Sequence, residues 1–348
     1  MTCPTMETTT RHALALALAL GMAAVPAQAQ MATSGDPALA DALERTPVTL
    51  DLAGGSLRVV NLFRLQADAL RATAGQPADS TVARLVRDVY APHTAFWNGY
   101  LGDEGAFRRW AVKLLAPEHP IHARLPALLG VGLDRRFVEG VEWIERTTGR
   151  RPEGTWYIVF GPGWTDMGGL SGIGMVADFS RMQPDSAALA AILPHELTHQ
   201  VHGTAAAADP DAGTVLHRIV AEGFATYVAW VHGAGERTPA RALGYSDEEW
   251  RWALAHEREL YDAVRPILGS TERSLVDRVA SRGESLIDGA PGAGGYFIGF
   301  RIVEGFVARH GPDSWQRIYD MPVADVLAGS LSAAALPYGS GSPAPARR

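Results

Sequence analysis

The chain has 348 residues, 47% of them hydrophobic and 20% charged, with a formal net charge of −7 at pH 7. This is the composition of an ordinary globular protein with a sizeable core, and it excludes a disordered or fibrous chain. The negative balance leaves no basic footprint, which argues against nucleic acid as a partner.

The residues through Arg11 and His12 are polar and end on cations. Ala13 to Leu20 alternate Ala and Leu without a charge, and Val25-Pro26-Ala27-Gln28-Ala29 closes the segment. This is the pattern of a secretory signal peptide, residues 1–29, cut after Ala29. A membrane anchor would need about 20 apolar residues, whereas this run is shorter and ends in Pro and Gln. No later stretch is apolar for long enough to span a bilayer, so the exported chain is expected in the periplasm or outside the cell. The only cysteine, Cys3, lies in the leader ahead of its apolar run. The exported chain therefore has no disulfide, no thiolate ligand and no lipidated cysteine, and any metal site must use His and carboxylates.

From Asp36 a short helix leads to Val48–Leu52 and Leu57–Val60, a hairpin pattern around Ala53-Gly54-Gly55. Helical periodicity follows over residues 62–73, 80–90, 103–115, 120–129 and 134–148, so residues 30–150 are expected to be a mostly helical N-terminal part. Within it His93, Phe96, Trp97 and Tyr100 cluster as packing between helices. The period then changes. Thr155–Phe160 is a strand by its β-branched and aromatic content, and Ile173–Phe179 is a second. Between them, Gly161–Gly169 has no G-K-[ST] and opens no G-x-G-x-x-G helix, so it reads as a mobile loop and not a phosphate cradle. At the far end, residues 337–348, rich in Gly, Ser, Pro and Ala, read as a disordered tail.

Pro194-His195-Glu196-Leu197-Thr198-His199-Gln200-Val201-His202 contains H-E-x-x-H. On a helix, His195 and His199 fall about 40° apart and about 6 Å along the axis, so two imidazoles point the same way and can share one tetrahedral Zn²⁺. Glu196, one residue round, can reach a water in the open metal position, which is the general-base slot. The helix is expected to start at Asp185 or Ser186, to kink or restart at Pro194, and to stop at Gly203. A catalytic zinc needs a third protein ligand. His202 shares the histidine face but lies about 10 Å along the axis from His195, too far for one metal. The metzincin extension fails, because His202 stands where its Gly belongs and Ala205 where its last His belongs. Glu222 lies in the apolar, periodic stretch Val215–Val231. A carboxylate in a buried helix is paired or metal-bound, which leaves a metal, or Arg218 or another Arg, as its partner.

A Glu on the helix after the H-E-x-x-H helix, with Gly223 and Ala225 giving room for two helices to approach, resembles the gluzincin arrangement. Together HELTHQVH, EGFA and GYFIGFRIVE resemble bacterial families of predicted Zn-dependent proteases of unknown function, related to a gliding-motility lipoprotein group, over roughly Tyr157 to His310. The resemblance implies a mainly α (α+β), zincin-like fold, helical with a small mixed sheet next to the H-E-x-x-H helix. Residues 151–336 would form the metallopeptidase core. It implies one Zn²⁺ per chain on His195, His199 and Glu222, a peptide or protein substrate, and a strand edge beside the metal where an extended peptide adds. The strand just before the metal helix suits that role. A Tyr or His should donate to the oxyanion, with Tyr296 first and His217 and Tyr227 as alternatives. Arg301 either pairs with Glu304 or meets a substrate carboxylate. Two other functions share these residues: a zinc hydrolase of non-peptide amides, and a non-catalytic envelope protein retaining a structural metal.

Overall fold

The computed structural model describes residues 37–170, 172–182, 185–233 and 237–330. The expected leader and tail lie outside the described residues. Helix α1 (Pro37–Arg45) precedes a hairpin of β1 (Thr49–Leu52) and β2 (Leu57–Asn61), which pair antiparallel with Leu52 opposite Leu57. Then come α2 (Leu62–Ala72), α3 (Ala78–Leu85), α4 (Thr94–Leu101), α5 (Glu104–Leu114), α6 (Pro120–Leu129) and α7 (Leu133–Thr148). The hairpin and the five periodic helices stand where the sequence puts them. The aromatic cluster lies on α4 and the turn before it. There the Trp97 indole donates to the Val89 carbonyl at 3.0 Å, and Phe96 stacks on Tyr157 with ring centroids 4.3 Å apart.

Strands β3 (Gly154–Val159), β4 (Met167–Leu170) and β5 (Gly174–Asp178) complete one five-stranded mixed sheet in the order β1-β2-β3-β5-β4. β3 runs parallel to both β2 and β5, while β4 pairs antiparallel with β5. Parallel neighbours need a crossover connection, and α2 to α7 supply it between β2 and β3. The sheet therefore draws hydrogen-bonded strands from both sides of position 150. β5, the strand just before the metal helix, is internal; the edge on its side is β4, built from the glycine-rich segment.

That segment is pinned and not a mobile loop. Asp178, fully buried at the end of β5, accepts from the N–H groups of Gly161, Gly163 and Ser180 at 2.8–2.9 Å and from the Tyr100 hydroxyl at 2.7 Å. A buried carboxylate is tolerated when its lone pairs are met in this way.

The remaining chain is helical: α8 (Ser186–Ala207), α9 (Val215–His232), α10 (Pro239–Leu243), α11 (Asp247–Ala255), α12 (Glu257–Val264), α13 (Arg273–Ala280), α14 (Gly294–His310) and α15 (Val323–Gly329). On α8, Leu189, Leu193 and Leu197 recur every four residues and are buried. They pack on α7 where Gly140 leaves room, since a Cβ there would lie 3.1 Å from Leu197 Cδ1. Gln200 ties the same helix to the sheet. It accepts from the Trp156 indole at 2.6 Å and donates to the Glu153 carbonyl at 3.0 Å. With its leucines held by α7, α8 turns its histidines toward α9.

Candidate metal centre

Helix α8 starts where the sequence allows, with Asp185 accepting from the Ala187 N–H at 2.8 Å. It neither stops at Pro194 nor at Gly203 but runs through both to Ala207. Proline withdraws one N–H from the helix ladder and crowds the preceding turn, so carbonyls there lose partners. Arg237, just past the end of α9, donates to the Ala191 carbonyl in that turn at 3.0 Å. The Thr198 hydroxyl donates to the Pro194 carbonyl at 2.7 Å.

One turn after Pro194 the imidazoles converge. His195 Nε2 lies 3.2 Å from His199 Nε2 and 3.2 Å from Glu222 Oε2, and His199 Nε2 lies 3.3 Å from the same oxygen. Among the described residues, His195, His199 and Glu222 are the one group of His and carboxylate donors close enough to hold a metal ion. A tetrahedron with metal–ligand distances of about 2.0 Å has edges of about 3.3 Å. The donor triangle thus fits three corners of a zinc tetrahedron and leaves the fourth for a small ligand.

Glu222 is buried on α9, and its two oxygens have different partners. Oε2 faces the imidazoles; Oε1 receives Arg218, one turn earlier, at 3.1 Å. Burial opposes charge on this carboxyl, yet His199 and His195 hold it well below the usual carboxylate range. For His199 the balance is similar: burial opposes the charged ring, and Glu222 outweighs it and raises the pKa. The pattern is that of a site arranged for a cation.

The far nitrogen of His195 also has a neighbour. Thr226 Oγ1, buried one turn after Glu222, lies 3.5 Å from His195 Nδ1 and donates to the Glu222 carbonyl at 2.8 Å. With its proton committed to that carbonyl, the hydroxyl can offer Nδ1 only a lone pair. Glu196 is buried next to His195, and among the described residues its carboxylate makes no hydrogen bond or ion pair.

Tyr296, near the start of α14, stacks on His195 with ring centroids 6.1 Å apart and an interplanar angle of 17°. Burial and then the Glu222 carboxylate push its pKa up, so the hydroxyl stays protonated. Its flanking glycines serve helix packing: a Cβ on Gly295 would meet the Val279 carbonyl at 2.4 Å, and one on Gly299 the Ile219 carbonyl at 1.9 Å. Tyr227 packs on Trp230 and Phe300, and His217 Nε2 is buried without a hydrogen-bond partner. His202 lies between the rings of Phe224 and Tyr319, and burial depresses its pKa to about 4. Arg301 is half-buried between the buried Glu304 and Glu257, the latter at 3.2 Å.

Residues 161–328 match the family model described as Predicted Zn-dependent protease (DUF2268). The matched segment runs from the Asp178-pinned loop into α15, so it contains His195, Glu196, His199, Glu222 and Tyr296. It supports a zinc-protease family for this part of the chain. No curated protein and no solved structure matches the chain. Thr226, Arg237 and Arg282, whose guanidinium lies 5.4 Å from the Tyr296 ring centroid, were not singled out by the sequence. Only Thr226 carried a signal, its position one helical turn after Glu222.

Proposed function

We propose that the protein is a gluzincin-type zinc peptidase, with one Zn²⁺ per chain held by His195, His199 and Glu222. The observation that carries this is the donor triangle, whose edges of 3.2, 3.2 and 3.3 Å suit tetrahedral coordination. When bound, zinc lowers the pKa of a water to about 7 and polarises the substrate carbonyl.

The chain's own residues do the rest. Glu196, free of protein partners, takes a proton from the attacking water and passes it to the leaving amine. Tyr296, kept protonated, donates to the oxyanion of the tetrahedral adduct. Arg218 holds the outer oxygen of Glu222 so that the inner one stays with the imidazoles. β4 is the edge strand on this side of the sheet, where an extended peptide can add beyond Met167, whose N–H and carbonyl are already met by Asp166 and Thr165, with Trp164, 66% exposed on the preceding loop, as an apolar contact. Among the described residues no helix is long and apolar enough to cross a membrane. With the leader pattern of residues 1–29, this supports a periplasmic or secreted enzyme acting on peptides or proteins.

Zinc titration into the metal-free protein tests the ligands. His195→Ala and Glu222→Ala should each lose high-affinity binding, and wild-type affinity in either variant means the assignment is wrong. Glu196→Gln should keep its zinc and lose hydrolysis of a casein or mixed-peptide substrate by at least about 100-fold; full activity in that variant would remove Glu196 as the base.

A further inference from the structure

We propose that Arg218 and Arg282 form a carboxylate subsite beside the metal centre, so that favoured substrates carry a carboxylate, terminal or on an acidic side chain, next to the scissile bond. This rests on the peptidase reading and names the substrate class that the site takes.

Both guanidiniums lie within electrostatic reach of the Tyr296 hydroxyl, and a row of side-chain contacts links one to the other. Arg282 lies over the Tyr296 ring at 5.4 Å, Tyr296 stacks on His195, His195 meets Glu222, and Glu222 receives Arg218 at 3.1 Å. Both arginines are exposed, yet both are held. Arg282 Nη1 donates to the Leu243 carbonyl at 2.9 Å. Its backbone is clamped by Gly292, where a Cβ would come within 2.1 Å of the Arg282 carbonyl oxygen. Arg218 is fixed by its contact with Glu222.

Each fork is anchored at one edge, and its remaining N–H groups have no protein hydrogen-bond or ion-pair partner among the described residues. The choice of neighbours is informative in a chain of net charge −7. Several exposed arginines pair with nearby acids, as Arg108 does with Glu104 and Arg273 with Asp277, while Arg251 and Arg278 donate to backbone carbonyls. Arg282 takes a ring and a carbonyl instead, although Glu284 and Asp288 share its loop. A planar fork with its free donors held in place is matched by a carboxylate. Arg301, the cation the sequence offered for this role, is already occupied by two buried glutamates. A strand advances about 3.4 Å per residue, and Arg218 already touches a member of the donor triad, so an anion on its free side belongs to the residue flanking the reacting carbonyl.

The test is calorimetric binding to the zinc-loaded full chain carrying Glu196→Gln, which prevents turnover. The probes are N-acetyl-alanyl-alanine as free acid, its C-terminal amide, and N-acetyl-alanyl-glutamic acid α-amide. At least one carboxylate probe should bind tenfold or more tightly than the neutral amide, and which one does identifies a terminal or a side-chain carboxylate. The preference should disappear in Arg282→Met and be partly restored by Arg282→Lys, with zinc content and melting temperature unchanged. If Arg282→Met does not fold, Arg218→Lys and the fall of the preference with added salt carry the test. Equal affinity for all three probes, or a preference that survives both the Arg282 and Arg218 changes and added salt, overturns the subsite even in an active peptidase. A preference lost with Arg282 in a protein that cleaves no peptide leaves the subsite standing and sinks the peptidase reading.

Discussion

Glu222 Oε2 faces two imidazoles while Oε1 meets Arg218, so the two partners that the sequence offers as alternatives are both present. A carboxylate has lone pairs for both, and the guanidinium stops the group from rotating to chelate with both oxygens. Thr226 does for His195 what Arg218 does for Glu222. Thr226→Val keeps the shape and removes the acceptor, and zinc affinity in a chelator competition should fall about tenfold, with Thr226→Ser restoring it; unchanged affinity in the valine variant would mean that the 3.5 Å contact orients nothing. His202 makes a separate prediction. Its folded pKa of about 4 lies below its ordinary 6.5, so the unfolded chain binds the proton first. Stability is then fully present above about pH 6.5 and falls as the pH drops toward 4, by on the order of 3 kcal/mol. Urea melts of metal-free wild type and His202→Leu across that range should show a loss on acidification that is steeper in the wild type by about this amount.

At the scale of elements, the site depends on how closely α9 and α14 approach. A Cβ on Gly223 would lie 2.0 Å from the Gly299 carbonyl carbon, and one on Gly299 would lie 1.9 Å from the Ile219 oxygen. These are backbone contacts that no rotamer change relieves. Gly299→Ala should therefore cost about 3 kcal/mol, the upper part of the overpacking range, and weaken zinc binding because Glu222 and Tyr296 sit on the two helices being pushed apart. Melting temperature and zinc content measured together check both effects; a variant as stable as wild type would show that the interface can widen. Helix α8 shows the opposite case, a locally unfavourable residue made tolerable from outside. Pro194 breaks the ladder immediately before His195, and Arg237 from beyond α9 supplies a donor to the exposed turn. The glycine-rich segment shows a third: its composition suggests mobility, but the buried Asp178 collects its N–H groups and sets up β4.

Over the whole molecule, the candidate metal site joins parts that are distant along the chain. α8 is docked by α7 and β3, α9 by α14, and the sheet contains strands from both halves. Ligand atoms on two separate helices mean that metal binding favours the packed state over the unfolded one. Zinc at about 100 times its dissociation constant should stabilise the fold by about 2.7 kcal/mol. Differential scanning calorimetry with and without chelator should show the loss in wild type and no zinc-dependent shift in His195→Ala. A wild-type melt indifferent to chelator would count against a metal bound in the folded chain.

The sequence by itself determined the motif helix, the hairpin and most of the helical spans, and it singled out His195, His199 and Glu222 as candidate donors. Each follows from local periodicity, or from the cost of leaving a carboxylate alone on an apolar helix, and both are written in neighbouring residues. Only the tertiary structure decided that Glu222 divides its oxygens, that Thr226 faces His195, that Arg237 bonds the helical turn before Pro194, that β4 and not β5 is the sheet edge, and that Arg301 is held by two glutamates while Arg218 and Arg282 remain outside. Those outcomes depend on which helix faces which at a distance of a few ångströms, and contacts between residues far apart in the chain leave no periodic trace in it.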